Sequence, residues 1–305
     1  MLPRRATAVL RVTLAAIALG ASASASAGMP VFCERGKEVS AAEQDRVLRF
    51  AGTVKRELEA SGGSVALIAR AGLDLSRFDL LYSHAGVALK EADSAWTVRQ
   101  LYYACDESRP RIFDQGVAGF ALGADAPGRG HVSLVFLDRD EAAQLEQAAR
   151  DKPLALALLA GRYSANAYAF GTRYQNCNQW VAELLASAWG GIDRREKPRE
   201  QAQDWLREQG YSAGPVKLKS RWLMFAGQFV PLVHLDDHPV DDLYALSLRV
   251  SVPASIEDFA HRRSPKARRV ELCHDTRHIV VHRGWEPIGA ECAPMPGDEV
   301  IPLDS

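Results

Sequence analysis

Two apolar runs joined by a six-residue polar link, LLYSHAGVAL (80–89) and WTVRQLYYAC (96–105), constrain this chain more than any other feature. The link is far too short for a parallel crossover, which needs a dozen or more residues. The two runs therefore read as a β-hairpin. SVALIARAG (64–72) before them and HVSLVFL (131–137) after them read as further strands. Helical periods frame this set. Val47, Phe50, Val54 and Leu58 recur at helical spacing over 40–60, and Ser61-Gly62-Gly63 ends that helix. RDEAAQLEQAARD reads as a helix, PLALALLAG as another, and a Gly-rich loop covers 116–130. YQNCNQWVAELLASAWGG (174–191) reads as a helix stopped by Gly190-Gly191. RREKPREQAQDW reads as a solvated helix face or a linker. The chain beyond it looks richer in strands, with LYALSLRVSV as one strand and RRVELCHDTRHIVVHRGW as a hairpin turning at Asp275-Thr276.

The first 27 residues have the form of a secretory leader: Arg4, Arg5 and Arg11, a short apolar run, then small residues up to Ala27. The run is shorter than the roughly 20 apolar residues a membrane span needs. No later stretch reaches that length without charges. The expectation is an exported, periplasmic or extracellular chain, cut near Ala27, with no stable membrane insertion. Losing three arginines and no acid takes the formal charge from −1 to −4. No segment is strongly basic, so nucleic acid is not an expected partner. An apolar content of 47% argues for a folded core rather than disorder. The expected organisation is a leader (1–27), an N-terminal helical segment (28–62), a core (63–214) and a β-rich C-terminal extension (215–305).

Five cysteines follow the leader: Cys33, Cys105, Cys177, Cys273 and Cys292. Export favours disulfides, and an odd number leaves at least one thiol over. Cys273 with Cys292, and Cys33 with Cys105, are reasonable staples that leave Cys177. Five cysteines with one unpaired allow fifteen arrangements, so sequence leaves the pairing open.

Asn176 is suited to cap the helix, which puts Cys177 in its first turn. Backbone N–H groups and the helix dipole there favour a thiolate, the nucleophilic form. A thiol nucleophile needs a base. His84 stands mid-strand, on the strand face of Gly86 and Ala88, small residues that allow a helix to approach. On composition alone, a satisfied core histidine is the more ordinary reading.

SHAGVAL and the later NCNQWVAE resemble the permuted papain-like, NlpC-type superfamily, in which the histidine strand precedes the cysteine helix. The resemblance covers roughly residues 63–190. Over most of the mature length the chain also resembles a family of secreted bacterial proteins with one domain of unknown function, which share the SHAGVAL-like, YNCN-like and HRGW-like stretches (His84, Asn176 to Asn178, His282 to Trp285). The resemblance implies an α+β fold: a permuted papain-like core, with an antiparallel sheet and the cysteine helix packed on it. It implies Cys177 as nucleophile and His84 as general base. A third polar residue should orient the imidazole from the next strand, and Gln100 is the choice, with Arg99 on the opposite face. Relatives in the superfamily use a second histidine or an acid there. The backbone N–H of Cys177 would hold the oxyanion.

GADAPGRG has phosphate-loop glycine spacing but lacks the Lys and Ser/Thr, so no nucleotide is expected. His274, His278 and His282 recur every four residues, yet a hairpin breaks that register, and no metal or other cofactor is expected. Trp96, Tyr102, Tyr103 and Trp180 line either a groove or the core. The expected function is a thiol-dependent hydrolase or acyltransferase acting on amide or ester bonds of a cell-envelope peptide or lipid. The alternatives are a non-catalytic envelope binding module on the same fold, and a structural protein in which Cys177 is disulfide-bonded.

Overall fold

A computed structural model gives the fold, and it describes residues 40–93, 95–123 and 128–303. The expected leader and Cys33 lie outside these residues. In chain order the elements are α1 (Ala41–Ala60), β1 (Val65–Arg70), β2 (His84–Lys90), β3 (Trp96–Ala104), β4 (Arg109–Gly116), α2 (Val117–Leu122), β5 (Gly130–Phe136), α3 (Arg139–Arg150), α4 (Lys152–Ala157), α5 (Cys177–Gly190) and α6 (Pro198–Glu208). There follow β6 (Pro215–Lys217), α7 (Arg221–Gly227), α8 (Val240–Tyr244), β7 (Ser247–Arg249), α9 (Pro253–Arg263), β8 (Arg268–His274), β9 (His278–Arg283) and β10 (Glu299–Pro302).

Eight strands form one sheet in the order β10-β9-β8-β5-β1-β2-β3-β4. Every pairing in it is antiparallel. The fold is thus α+β, with a large antiparallel sheet and helices packed on it. Strand alternation sorts the side chains into two cores. Leu67, Ala85, Val87, Leu89 and Leu101 face α3, α5, α6 and α9, with Trp180, Val181, Leu184 and Leu206 packed on them. Ile68, Ala88, Val98 and Leu134 face α1 and α2, against Phe50, Val54, Leu58 and Phe120. Trp96 and Trp180 are core residues, buried on opposite faces of the sheet.

Three expectations need correction. α2 occupies part of the stretch read as a Gly-rich loop, and β4 forms before it in a stretch given no element. Arg109, Pro110 and Arg111 hide an edge strand, where a missing N–H and outward charges are tolerated. The charged run at 194–205 is not simply solvated: α6 inserts Arg199 and Gln203 into the core, where both are buried. The stretch after 215 is not mainly strand. α7, α8 and α9 precede β8, and LYALSLRVSV supplies only the three residues of β7. VPASIEDF begins a helix because Pro253 suits a first turn and the Ser255 hydroxyl accepts from the Val252 N–H at 3.2 Å. The strands of this stretch, β8–β10, extend the sheet through β5.

The hairpin at 268–283 forms as expected, with β8 and β9 flanking Asp275. A disulfide joins Cys273 to Cys292, with a Cα–Cα distance of 5.7 Å. It pins the Gly284–Cys292 loop, whose Ile288 is buried in one cluster with Val280.

Candidate functional site

The run QNCNQ fixes the start of α5 through its side chains. Asn176 Oδ1 accepts from the Gln179 N–H at 2.7 Å, which makes Asn176 the helix cap. Its Nδ2 donates to the carbonyls of Ala165 and Ser251. Gln175 takes the Ala160 N–H and donates to the Leu158 carbonyl and to Glu183. Gln179 Nε2 donates to the carbonyls of Tyr168, Ala169 and Gly171. Asn178 Nδ2 donates to the Ser83 carbonyl at 3.1 Å, tying the helix start to β2. All four polar residues are buried, so each bond replaces one lost to water. One turn further, Glu183 is fully buried and meets Arg199 Nε at 2.9 Å.

Cys177 is the free thiol among the described residues, and it is buried. Cys105 is disulfide-bonded. The Cys177 Sγ lies 4.0 Å from the Ser83 carbonyl oxygen. The backbone N–H groups of Ala85, Asn178 and Cys177 itself bear on the sulfur, and the Tyr163 hydroxyl lies against it. These amides and the nearby Arg70 favour the thiolate. Burial outweighs them and pushes the thiol up to about 11.

His84 opens β2 and is cross-strand neighbour to Arg70 on β1. Its Nε2 lies 2.5 Å from Gln100 Oε1 on β3. Gln100 Nε2 in turn donates to Gln115 Oε1 on β4 at 2.9 Å. Since Gln100 presents its oxygen, Nε2 of His84 carries the proton and Nδ1 is the acceptor. Burial, helped by the Arg70 charge, holds the imidazole down to about 3, so it is neutral. Gln100 is buried, and Arg99 leaves β3 on the other side to pair with Asp114 at 2.6 Å.

The structure brings His84 and Gln100 together directly. The Cys177 sulfur approaches the backbone on either side of His84, at the Ser83 carbonyl and the Ala85 N–H. The cysteine helix packs on the Ala85, Val87 and Leu89 face, whereas His84 lies against Phe120 at 5.9 Å between ring centroids, on the Gly86 and Ala88 face. Among the described residues no hydrogen bond joins the thiol to the imidazole. Gly86 is small for a different reason from close helix approach: a Cβ there would sit 2.8 Å from Val98 Cγ1 and 2.9 Å from the Arg99 carbonyl oxygen. It is neighbouring β3 that forbids a side chain.

A cavity of about 370 Å³ borders the His84–Gln100–Gln115 chain and is lined by Arg70, Gln100, Tyr102, Phe113, Asp114 and Gln115. Tyr102 is half exposed there, while Tyr103 lies tilted against Tyr163, with ring centroids 5.5 Å apart. Arg70 lies over the Phe120 ring at 5.3 Å, and Gly123 leaves room for its guanidinium, since a Cβ would approach to 2.7 Å. Sequence reasoning gave no role to Arg70, Gln115, Tyr163 or Asn178, although Asn178 belongs to the YNCN-like stretch. Asn178 alone had a visible signal, as the second asparagine flanking the cysteine. The others come together only by tertiary contact.

The C-terminal histidines point to separate partners: His274 packs on Phe50, His278 faces Asp275, and His282 Nδ1 lies 2.7 Å from Asp298. Among the described residues no three His, Cys, Asp or Glu side chains cluster to hold a metal ion. No described helix is long and apolar enough to cross a membrane.

Neither the curated proteins nor the solved structures contain a match to this chain. One family model does match, over residues 57–260, about two thirds of the chain and including His84, Gln100 and Cys177. The chain therefore belongs to the family described as "uncharacterized protein conserved in bacteria" (DUF2145).

Proposed function

We propose that this protein is an exported thiol-dependent hydrolase or acyltransferase, on a permuted papain-like core, that acts on amide or ester bonds of an envelope peptide or lipid. The observation that carries this reading is the 2.5 Å contact between His84 Nε2 and Gln100 Oε1, one residue along the chain from the Ser83 carbonyl that the helix-start thiol approaches. It gives the imidazole the tautomer a cysteine nucleophile requires. In the reaction the Cys177 proton passes to His84 Nδ1 and the sulfur bonds to the substrate carbonyl carbon. The leaving amine or alcohol departs with that proton, and water or an acceptor amine cleaves the thioester. The N–H groups that bear on the sulfur stand where an oxyanion forms. At rest both groups are neutral and unbonded to each other. Catalysis on this reading therefore needs His84 to leave Gln100 and swing toward the thiol when substrate binds.

A non-catalytic binding module is the second reading, favoured by the same gap between Cys177 and His84. The decisive measurement is intact mass after incubation with p-nitrophenyl acyl esters and N-acyl amides. The hydrolase reading expects an acyl adduct on Cys177 in the wild type. The adduct is absent in Cys177→Ala, and forms at least about 100-fold more slowly in His84→Gln. A wild-type chain that never acylates, with a thiol inert in both proteins, rules for the binding module.

A further inference from the structure

No residue from 214 to 236 is buried, although both ends of the segment are tied down. β6 pairs with β7 at one end, and at the other the Leu232 carbonyl accepts from Ala165 N–H at 2.7 Å. Between them α7 and the turn after it hold out an aromatic ladder. Trp222 and Phe225 lie 5.5 Å apart by ring centroids, and Phe225 and Phe229 lie 5.3 Å apart. Trp222 is 73% exposed and Phe229 72%. Aromatic side chains grouped in water this way mark a contact surface rather than scattered surface residues.

The charges around the ladder say what covers it. Lys217, Lys219 and Arg221 are exposed and in no ion pair among the described residues, and 215–235 contains no acid. Of the four acids that follow, Asp236 and Asp242 are engaged by Arg173 and Arg249, and Asp237 is enclosed beside His238. A second copy docking here would bring two like-charged clusters together, at a cost. A sheet of anionic headgroups instead takes the cations, while Trp and Phe settle at the headgroup boundary. We propose that residues 217–230 seat this protein on an anionic phospholipid surface, as a peripheral contact and not a span. The inference is independent of the hydrolase reading.

The test is co-sedimentation of the full chain with phosphatidylcholine vesicles, with and without about 30% phosphatidylglycerol. The wild type should bind the anionic vesicles and release them as salt rises. Trp222→Ala/Phe225→Ala/Phe229→Ala should bind about tenfold more weakly or worse. Lys217→Gln/Lys219→Gln/Arg221→Gln should lose roughly 100-fold at low salt. All three proteins share the N-terminal apolar run, so it cannot produce a difference between them. The substituted side chains are exposed, and unchanged circular dichroism confirms folding. The proposal is overturned if the wild type ignores anionic vesicles, or if the variants bind as it does. It is equally overturned if the ladder mediates a wild-type dimer with no lipid dependence, seen by sedimentation velocity.

Discussion

At Cys177 two physical terms oppose each other. Three backbone N–H groups and the Arg70 charge stabilise a thiolate, and desolvation of a fully enclosed sulfur destabilises it by more. With the thiol pushed up to about 11, roughly one molecule in a thousand is ionised at pH 8. Alkylation by iodoacetamide should therefore be much slower at pH 8 than for a free cysteine, with a rate still climbing toward pH 11. Tyr163→Phe removes the hydroxyl that lies against the sulfur and should change that profile, while an exposed control thiol should not respond. A midpoint near the ordinary cysteine value would mean that the thiol is hydrated in solution. The sequence made the thiol's place at a helix start legible through Asn176. It could not show the enclosure, because Tyr163 and Ser83 reach the sulfur from distant parts of the chain.

At the scale of elements, α5 is held by a buried ion pair as well as by its apolar face. Glu183 receives Arg199 through Nε at 2.9 Å and Nη2 at 3.0 Å, with Gln175 and Gln203 donating alongside. Arg199 also donates to the carbonyls of Thr172 and Tyr174, locking the loop that leads into Cys177. Removing one partner leaves the other charge buried and uncompensated. Arg199→Ala or Glu183→Ala should each cost about 3–5 kcal/mol, read from the urea midpoint, and the Glu183→Met/Arg199→Met pair should cost less than the two singles combined. A loss below about 1 kcal/mol for Arg199→Ala would match the solvated charge run that the sequence suggested. Periodicity showed the strands and helices of the central core, since apolar alternation and spacing are local properties. It missed β4, whose charges suit an edge, and α9, whose Pro253 start reads as a strand end. It also gave His84 the right strand face and α5 the wrong one, because two faces of a sheet buried on both sides look alike in sequence.

For the whole molecule, the buried histidines link stability to acid. Burial holds His84 down to about 3 and His131 to about 4, and lowers His274, against an ordinary value of 6.5. They lie on β2, β5 and β8, within one continuous sheet. A group whose folded pKa is depressed contributes stability above its unfolded value and loses it as pH falls toward its folded one. Between about pH 6.5 and 3 the unfolded chain binds more protons at His84 than the native chain does, so stability falls there. Glu183 and Glu257, raised by burial, work in the opposite sense, which makes the overall slope a poor readout. The difference between wild type and His84→Gln isolates the histidine. From pH 6 to pH 4 the wild type should lose up to about 1.4 kcal/mol per pH unit more than the variant. Parallel curves would mean that His84 accepts a proton while the protein is still folded. That would require water, or a mobile Arg70, at the point where β1 and β2 meet, and it would give the imidazole the freedom that the hydrolase reading asks of it.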